Sequence, residues 1–300
     1  MNIMKNAIRF ITIFALLYVP GFAAGAEAFR YGKQNEVLGK VARYTVSNNE
    51  SLYEIARWYK TGFNEIVTAN PGVDPYVPGK GRILVLPTAW VLPYGTRDDG
   101  IVINVSEMRL YYFYRKRGVR LVKTYPIGIG DEGTDTPEGR FKVIEKIVHP
   151  AWHVPASIRK ERPELPEVVP PGPDNPMGDY AMRLSLHTVL IHGTDIPWGI
   201  GKRVSHGCIR LYPEDIKELF YSVPLGTKVT IIKQPVKAGL SGNRVYVEVN
   251  EDTEQKTFDY LGELRNLLSK KGLINCVNPN TLEAAVREKT GYAVDVSIGQ

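Results

Sequence analysis

Two short stretches carry residue types that do chemistry together: Ile191-His192-Gly193-Thr194 and Ser205-His206-Gly207-Cys208-Ile209-Arg210. Between them they hold one of two cysteines and two of five histidines. A thiol attacks as its thiolate, and at an unperturbed pKa of about 8.5 only a few per cent is ionised at neutral pH. A neighbouring imidazole can take the proton and, left as a cation, favour the thiolate. Gly207 lets the backbone turn tightly before Cys208 and leaves amide N–H groups to face a developing oxyanion. Arg210 sits two residues on and shares a face with Cys208 in an extended segment. A buried inert thiol suits apolar surroundings, whereas Ser-His-Gly-Cys is polar. His192, His206 and Cys208 lack the paired C-x₂-C spacing of a metal centre, so no metal and no cofactor are expected.

The chain that must position these groups has 300 residues, 43% hydrophobic, enough for one large or two modest domains. Its first residues read as a secretory signal peptide over 1–26. Lys5 and Arg9 form the basic region, Phe10 to Ala24 is mostly apolar, and Ala24-Gly25-Ala26 offers small residues for cleavage. The apolar run is short for a membrane span, and Pro20-Gly21 interrupts it. Export implies an oxidising compartment, where two cysteines ordinarily pair. Cys208 has a catalytic setting and Cys276 a helix-end setting, so they are expected to stay unbridged. Removing the leader lowers the formal charge from +6 to +4, which suits an anionic wall or membrane surface. No dense Lys/Arg run with interleaved aromatics is present, so nucleic acid is not an expected partner.

Residues 42–87 read as strand–helix–helix–strand. Ala42 to Val46 is a strand, and Ser51-Leu52-Tyr53-Glu54 fits a capping box. Leu52, Ile55, Ala56 and Tyr59 follow helical spacing. Asn64 to Ala69 is a second helix ended by Asn70-Pro71-Gly72, and Arg82 to Leu86 closes the unit. Thr88 to Gly100 reads as a Pro/Gly-containing linker, which would leave the unit independent. From Ile101 the pattern becomes period two and β-branched. Strands are expected over 101–105, 109–114, 119–127, 140–146, 181–186, 188–191 and 228–233, with a helix from Pro213 to Tyr221. Tyr111 to Tyr114 are expected on strand faces. Eight prolines between residues 149 and 180 exclude a regular strand or a long helix there. That segment also holds Trp152 and His153, so an ordered loop beside the site is expected. Residues 240–300 add a strand over 244–250 and helices near 257–271 and 280–289, with no evident chemistry.

Two resemblances emerge. Tyr44-Thr45-Val46, Glu50 to Ala56, Ala69-Asn70-Pro71, Val77-Pro78-Gly79 and Leu84 to Pro87 resemble a LysM domain. This implies binding to N-acetylglucosamine-containing glycans, with Ser51, Leu52, Tyr53, Asn70 and Pro71 near the groove. Thr136-Pro137-Glu138-Gly139, Pro170 to Pro176 and the two histidine-bearing stretches resemble an L,D-transpeptidase catalytic domain of the YkuD type, over about 99–233. The combination is similar to the periplasmic Gram-negative group. The implied fold class is a mainly β sandwich with a small α+β module and an α/β C-terminal extension. The implied roles make Cys208 the nucleophile and His192 the base, oriented by the Gly193 carbonyl. Gly207 and Cys208 amides would form the oxyanion hole, and Ser205, His206, Arg210 and Trp152 would line the substrate site.

The implied partners are peptidoglycan stem peptides and glycan strands, with an outer-membrane lipoprotein as one acceptor. An L,D-carboxypeptidase on the same stems, or a non-catalytic peptidoglycan-binding protein, remains an alternative reading. A sortase-like transpeptidase shares only the His, Cys and Arg trio. An NlpC-type peptidase would place its cysteine before its histidine.

Overall fold

The computed structural model describes residues 26–95, 99–252 and 257–299. The expected leader falls outside these apart from Ala26. Among the described residues no helix is long and apolar enough to cross a membrane.

The centre is a nine-stranded mixed sheet. In spatial order its strands are Phe29–Arg30, Val119–Pro126, Arg109–Lys116, Gly100–Asn104, Lys228–Ile232, Gly139–Val148, Tyr180–Leu184, Leu190–His192 and Ile209–Arg210. The ten-residue strand Gly139–Val148 joins two halves. Its first four residues pair with Lys228–Ile232 and the rest with Tyr180–Leu184, across a register shift between Val143 and Glu145. Such an irregularity bends a strand and lets one sheet fold over its own core. Ile101, Ile103, Leu110, Val143, Met182, Ile191 and Ile209 meet inside, and helix Pro213–Ser222 adds Ile216 and Leu219. Tyr111 and Phe113 are fully buried, in keeping with the expected strand faces.

Residues 42–87 form the expected strand–helix–helix–strand. Ala42–Thr45 pairs antiparallel with Ile83–Leu86 around helices Leu52–Trp58 and Phe63–Ala69. Ser51 caps the first helix in a capping box with Glu54.

The expected linker is different. Ala89–Val91 is a buried strand paired with Val37–Gly39, because Trp90 and Leu92 fill a core with Tyr111 and Phe113. The unit is not independent either. Glu65, on its second helix, is 2% exposed and meets Arg109 of the central sheet, itself 0% exposed. Arg109 Nε and Nη2 donate to the two Glu65 oxygens at 3.0 and 2.6 Å, and Trp90 Nε1 donates to the same carboxylate at 2.7 Å. Arg57 pairs with Glu214 at 2.8 Å and Lys60 with Asp215 at 2.7 Å.

Glu65→Ala leaves a buried guanidinium without its anion. The expected cost is about 3–5 kcal/mol of unfolding free energy, read by denaturant titration of the whole chain. A loss under about 1 kcal/mol would show that water enters and the seam is loose. Deleting 42–87 uncovers the same arginine, so the remainder is expected to be less stable than the whole chain.

Residues 236–299 build a smaller α/β unit. Strands Val236–Ser241, Arg244–Val249 and Val294–Asp295 pack on helices Tyr260–Lys270 and Pro279–Glu288 through Val247, Leu264, Leu268 and Leu282. It meets the central sheet's side through buried charge: Lys237 Nζ reaches Glu107 at 2.6 Å, with Glu248 of its own unit at 2.8 Å.

Candidate active site

Parallel pairing brings the two chemical stretches together. Leu190–His192 lies beside Ile209–Arg210 with His192 opposite Arg210, and Leu211 N–H donates to the His192 carbonyl at 2.9 Å. Arg210 is held on its other side by two backbone hydrogen bonds to Gly128, each 2.9 Å. Cys208 therefore stands at the mouth of a strand fixed on both edges.

The turn before it is clamped. Gly207 has φ of +95°, and a Cβ there would come within 3.5 Å of the Asp135 carbonyl oxygen; only glycine enters this region without strain. Ser205 Oγ donates to the Cys208 carbonyl at 2.6 Å. Thr136 Oγ donates to the Gly207 carbonyl at 3.1 Å and accepts from Gly130 N–H at 2.9 Å. Among the described residues the amide N–H groups of Gly207 and Cys208 donate to no other group. Two fixed, uncommitted donors beside a thiol are what an oxyanion needs.

His192 is 3% exposed, and its Nδ1 lies 2.7 Å from the Gly193 carbonyl oxygen. A carbonyl only accepts, so Nδ1 carries the hydrogen and Nε2 keeps its lone pair. Burial, then the Arg210 charge, lowers the ring's pKa to about 3 against the pull of the Gly193 and Met177 carbonyls. Burial also pushes the Cys208 thiol up, against the cations of Arg210 and Arg183. Both shifts favour a neutral thiol and a neutral imidazole at rest, because low polarity penalises both charged forms at once. Cys208 Sγ donates to the Thr188 carbonyl at 3.7 Å.

The thiol opens into a cavity of about 290 Å³. Trp152, His192, Ser205, His206, Cys208 and Arg210, all singled out from the sequence, line it. The proline-rich segment supplies one wall, as expected, through Trp152, Pro155, Ile158 and Met177. Trp152–His153 pairs with Val168–Val169, and a short helix, Ala156–Glu161, follows Pro155. His206 Nε2 is 3.8 Å from Glu161 of that helix. Ser205 supports the site, since it is 1% exposed and its hydroxyl closes the turn before the cavity. Residues not foreseen are Arg183, His187 and Thr188 on the wall, and Thr136 behind the turn. Thr136 had a signal, its Thr-Pro-Glu-Gly motif; Arg183 had none.

The candidate glycan positions lie apart from this cavity. Leu52 is 0% exposed in the core of its unit and cannot meet a sugar. Asn70 is 7% exposed, and its amide bridges Ile66 and Val85 by three hydrogen bonds of 2.8 Å. Both are corrections: helical spacing and a turn signal mark buried residues as readily as exposed ones. Ser51 serves as a helix cap, Pro71 is exposed, and the Tyr53 ring stacks on Phe63 at 4.0 Å. Cys276 is exposed, and both cysteines are free.

Residues 98–231 match the YkuD family model, described as the L,D-transpeptidase catalytic domain. The chain is 42% identical over 272 residues to the Probable L,D-transpeptidase YcfS of Escherichia coli (strain K12), covering 86% of this chain and 84% of that protein. It is 41% identical over 265 residues to the Probable L,D-transpeptidase YbiS of the same strain, covering 84% and 85%. With that strain's Probable L,D-transpeptidase ErfK/SrfK it shares 36% identity over 306 residues, covering 97% of each.

Proposed function

The chain belongs to the L,D-transpeptidase family, and from that premise we propose that it transfers acyl groups between peptidoglycan stem peptides through a thioester on Cys208. One observation carries the reading: Cys208 follows a clamped glycine turn with two free amides, in the same cavity as a histidine whose Nε2 is unprotonated.

Cys208 sulfur attacks the carbonyl at the L-centre of the stem's third residue, diaminopimelate. Its proton passes to His192 Nε2 as the bond forms. The Gly207 and Cys208 amides receive the oxyanion. The C–N bond breaks, and His192 returns the proton to the departing D-alanine amine. An acceptor amine then attacks the thioester, loses a proton to His192, and the thiol is restored. A second stem's diaminopimelate as acceptor gives a 3→3 cross-link. A lysine of an outer-membrane lipoprotein gives an anchored protein. Water makes the enzyme an L,D-carboxypeptidase, the alternative reading.

Residues 42–87 act as a LysM module on the glycan strands, supported by their strand–helix–helix–strand order and strand pairing. Residues 99–233 are the catalytic domain and 240–300 an extension. Residues 1–26 direct the protein to the periplasm.

Incubating the protein with disaccharide-tetrapeptide and weighing the products tests the reading. The expected result is free D-alanine together with a dimer lighter than two donors by one D-alanine. Tripeptide without dimer would select the carboxypeptidase, and an unchanged substrate would overturn the proposal.

A further inference from the structure

The cavity around Cys208 has a charge pattern that the acyl-transfer reading does not use. Its wall holds two arginines and four histidines and no carboxylate. Glu145 and Glu161 pair with Arg183 and His206, and Asp195 acts on Arg210, but none of the three lines the cavity.

Arg183 is the cation without an assigned task. It lies on strand Tyr180–Leu184, opposite Glu145 on one side and Leu190 on the other. Its Nε donates to Glu145 at 2.7 Å and its Nη1 to the His187 carbonyl at 3.1 Å. Those two contacts fix the plane of the guanidinium. They leave Nη2, with two N–H donors, uncommitted among the described residues. The same turn carries Thr188, whose carbonyl accepts from Cys208 Sγ at 3.7 Å, and the Arg183 charge is felt at the thiol. Arg210 adds a second cation beside His192, with its Nε buried and unpartnered. A pre-oriented guanidinium with free donors in a wall devoid of anions suits a carboxylate.

We propose that Arg183 is a specificity-determining residue that binds a free carboxylate of the acyl donor. The proposal rests on the acyl-transfer reading above. Two carboxylates of such a donor lie close to the bond that breaks. One belongs to the departing D-alanine, the other to the side-chain end of diaminopimelate. Arg183 recognises carboxylate chemistry and so selects donors on whether that group is free or amidated. It takes no part in moving protons or forming bonds.

Steady-state D-alanine or D-alaninamide release is measured on three donors: the parent tetrapeptide, one amidated at the diaminopimelate side-chain carboxylate, and one ending in D-alaninamide. One charge-assisted contact corresponds to about 10- to 100-fold in binding. Arg183→Gln is expected to raise KM on the parent by about that factor with kcat little changed. Amidating the recognised carboxylate is expected to raise KM equally in the unmutated protein and to have no further effect in Arg183→Gln. The arm in which this happens identifies the carboxylate. Arg183→Lys is expected to recover part of the loss, because it keeps the charge but not the fork. If Arg183→Gln lowers turnover of all three donors alike, or if neither amidation raises KM in the unmutated protein, the residue is structural and the proposal falls. Should the unmutated protein release nothing from any donor, the acyl-transfer reading fails first and takes this inference with it.

Discussion

Cys208→Ala is expected to abolish both D-alanine release and covalent capture of a carbapenem. The strained carbonyl of a β-lactam is an acyl donor that an activated thiol opens, and the ring cannot re-close readily, so the enzyme is trapped as a thioester. In this protein the sulfur that can do so sits beside two free amides and opens into the cavity that holds His192. The chain contains its own control. Cys276 is also a free thiol and is exposed, at the end of the short helix Ile274–Cys276, but it does not line that cavity. Mere thiol reactivity would favour the exposed cysteine; catalytic positioning favours the other. One adduct per chain is expected, and peptide mass spectrometry should assign it to Cys208. An adduct on Cys276, or D-alanine release that survives Cys208→Ala, would sink the thioester mechanism.

His192→Ala is expected to slow acylation by about 10²–10⁴-fold, the usual contribution of a positioned general base. Substrate binding should persist, since the ring is 3% exposed and offers the cavity little surface. The pH dependence supplies an independent check. A histidine at its ordinary value near 6.5 would give a rate that falls as the pH drops through about 6 to 7. Burial lowers His192 to about 3, so its neutral, proton-accepting form persists across that range. Single-turnover acylation should therefore stay level from about pH 7 down to about pH 5. The acid limb belongs near the lowered value instead. On the alkaline side burial raises the thiol, so the rise from free thiolate should begin above its ordinary range. Near-normal acylation by His192→Ala would pass the role of base to His206, and a limb centred between pH 6 and 7 would show that burial does not lower His192.

Local physics made much of this protein legible without coordinates. Alternation and β-branching located the strands over 101–105, 109–114 and 228–233 to within a few residues, because the period of two is written into any strand with one face buried. The Ser51 capping box and the glycine at 207 were equally readable, since each answers a need of the backbone within a few residues. The order His-Gly, then Ser-His-Gly-Cys, pointed to the candidate reacting groups, because chemistry at a thiol needs few residue types and they stand close together in the chain.

What the sequence could not set were relations between distant residues. Pairing of Leu190–His192 with Ile209–Arg210 is parallel, and no local signal announces a partner across a crossover. Glu65 and Arg109 are each unremarkable until folding buries both and makes each the other's counter-ion, turning an expected linker region into a packed seam. Leu52 and Asn70 could be told from surface contacts only once the core around them was closed. The protonation of His192 and Cys208 was likewise a tertiary result. In water the thiol's higher pKa already favours the neutral pair, and burial by remote segments strengthens that preference. Arg183 became a candidate for recognition for the same reason: a strand turn, a cross-strand glutamate and a wall without acids meet only in three dimensions. The order of residues in the chain marked the candidate reacting atoms; the packing of distant strands decided their burial and the groups that surround them.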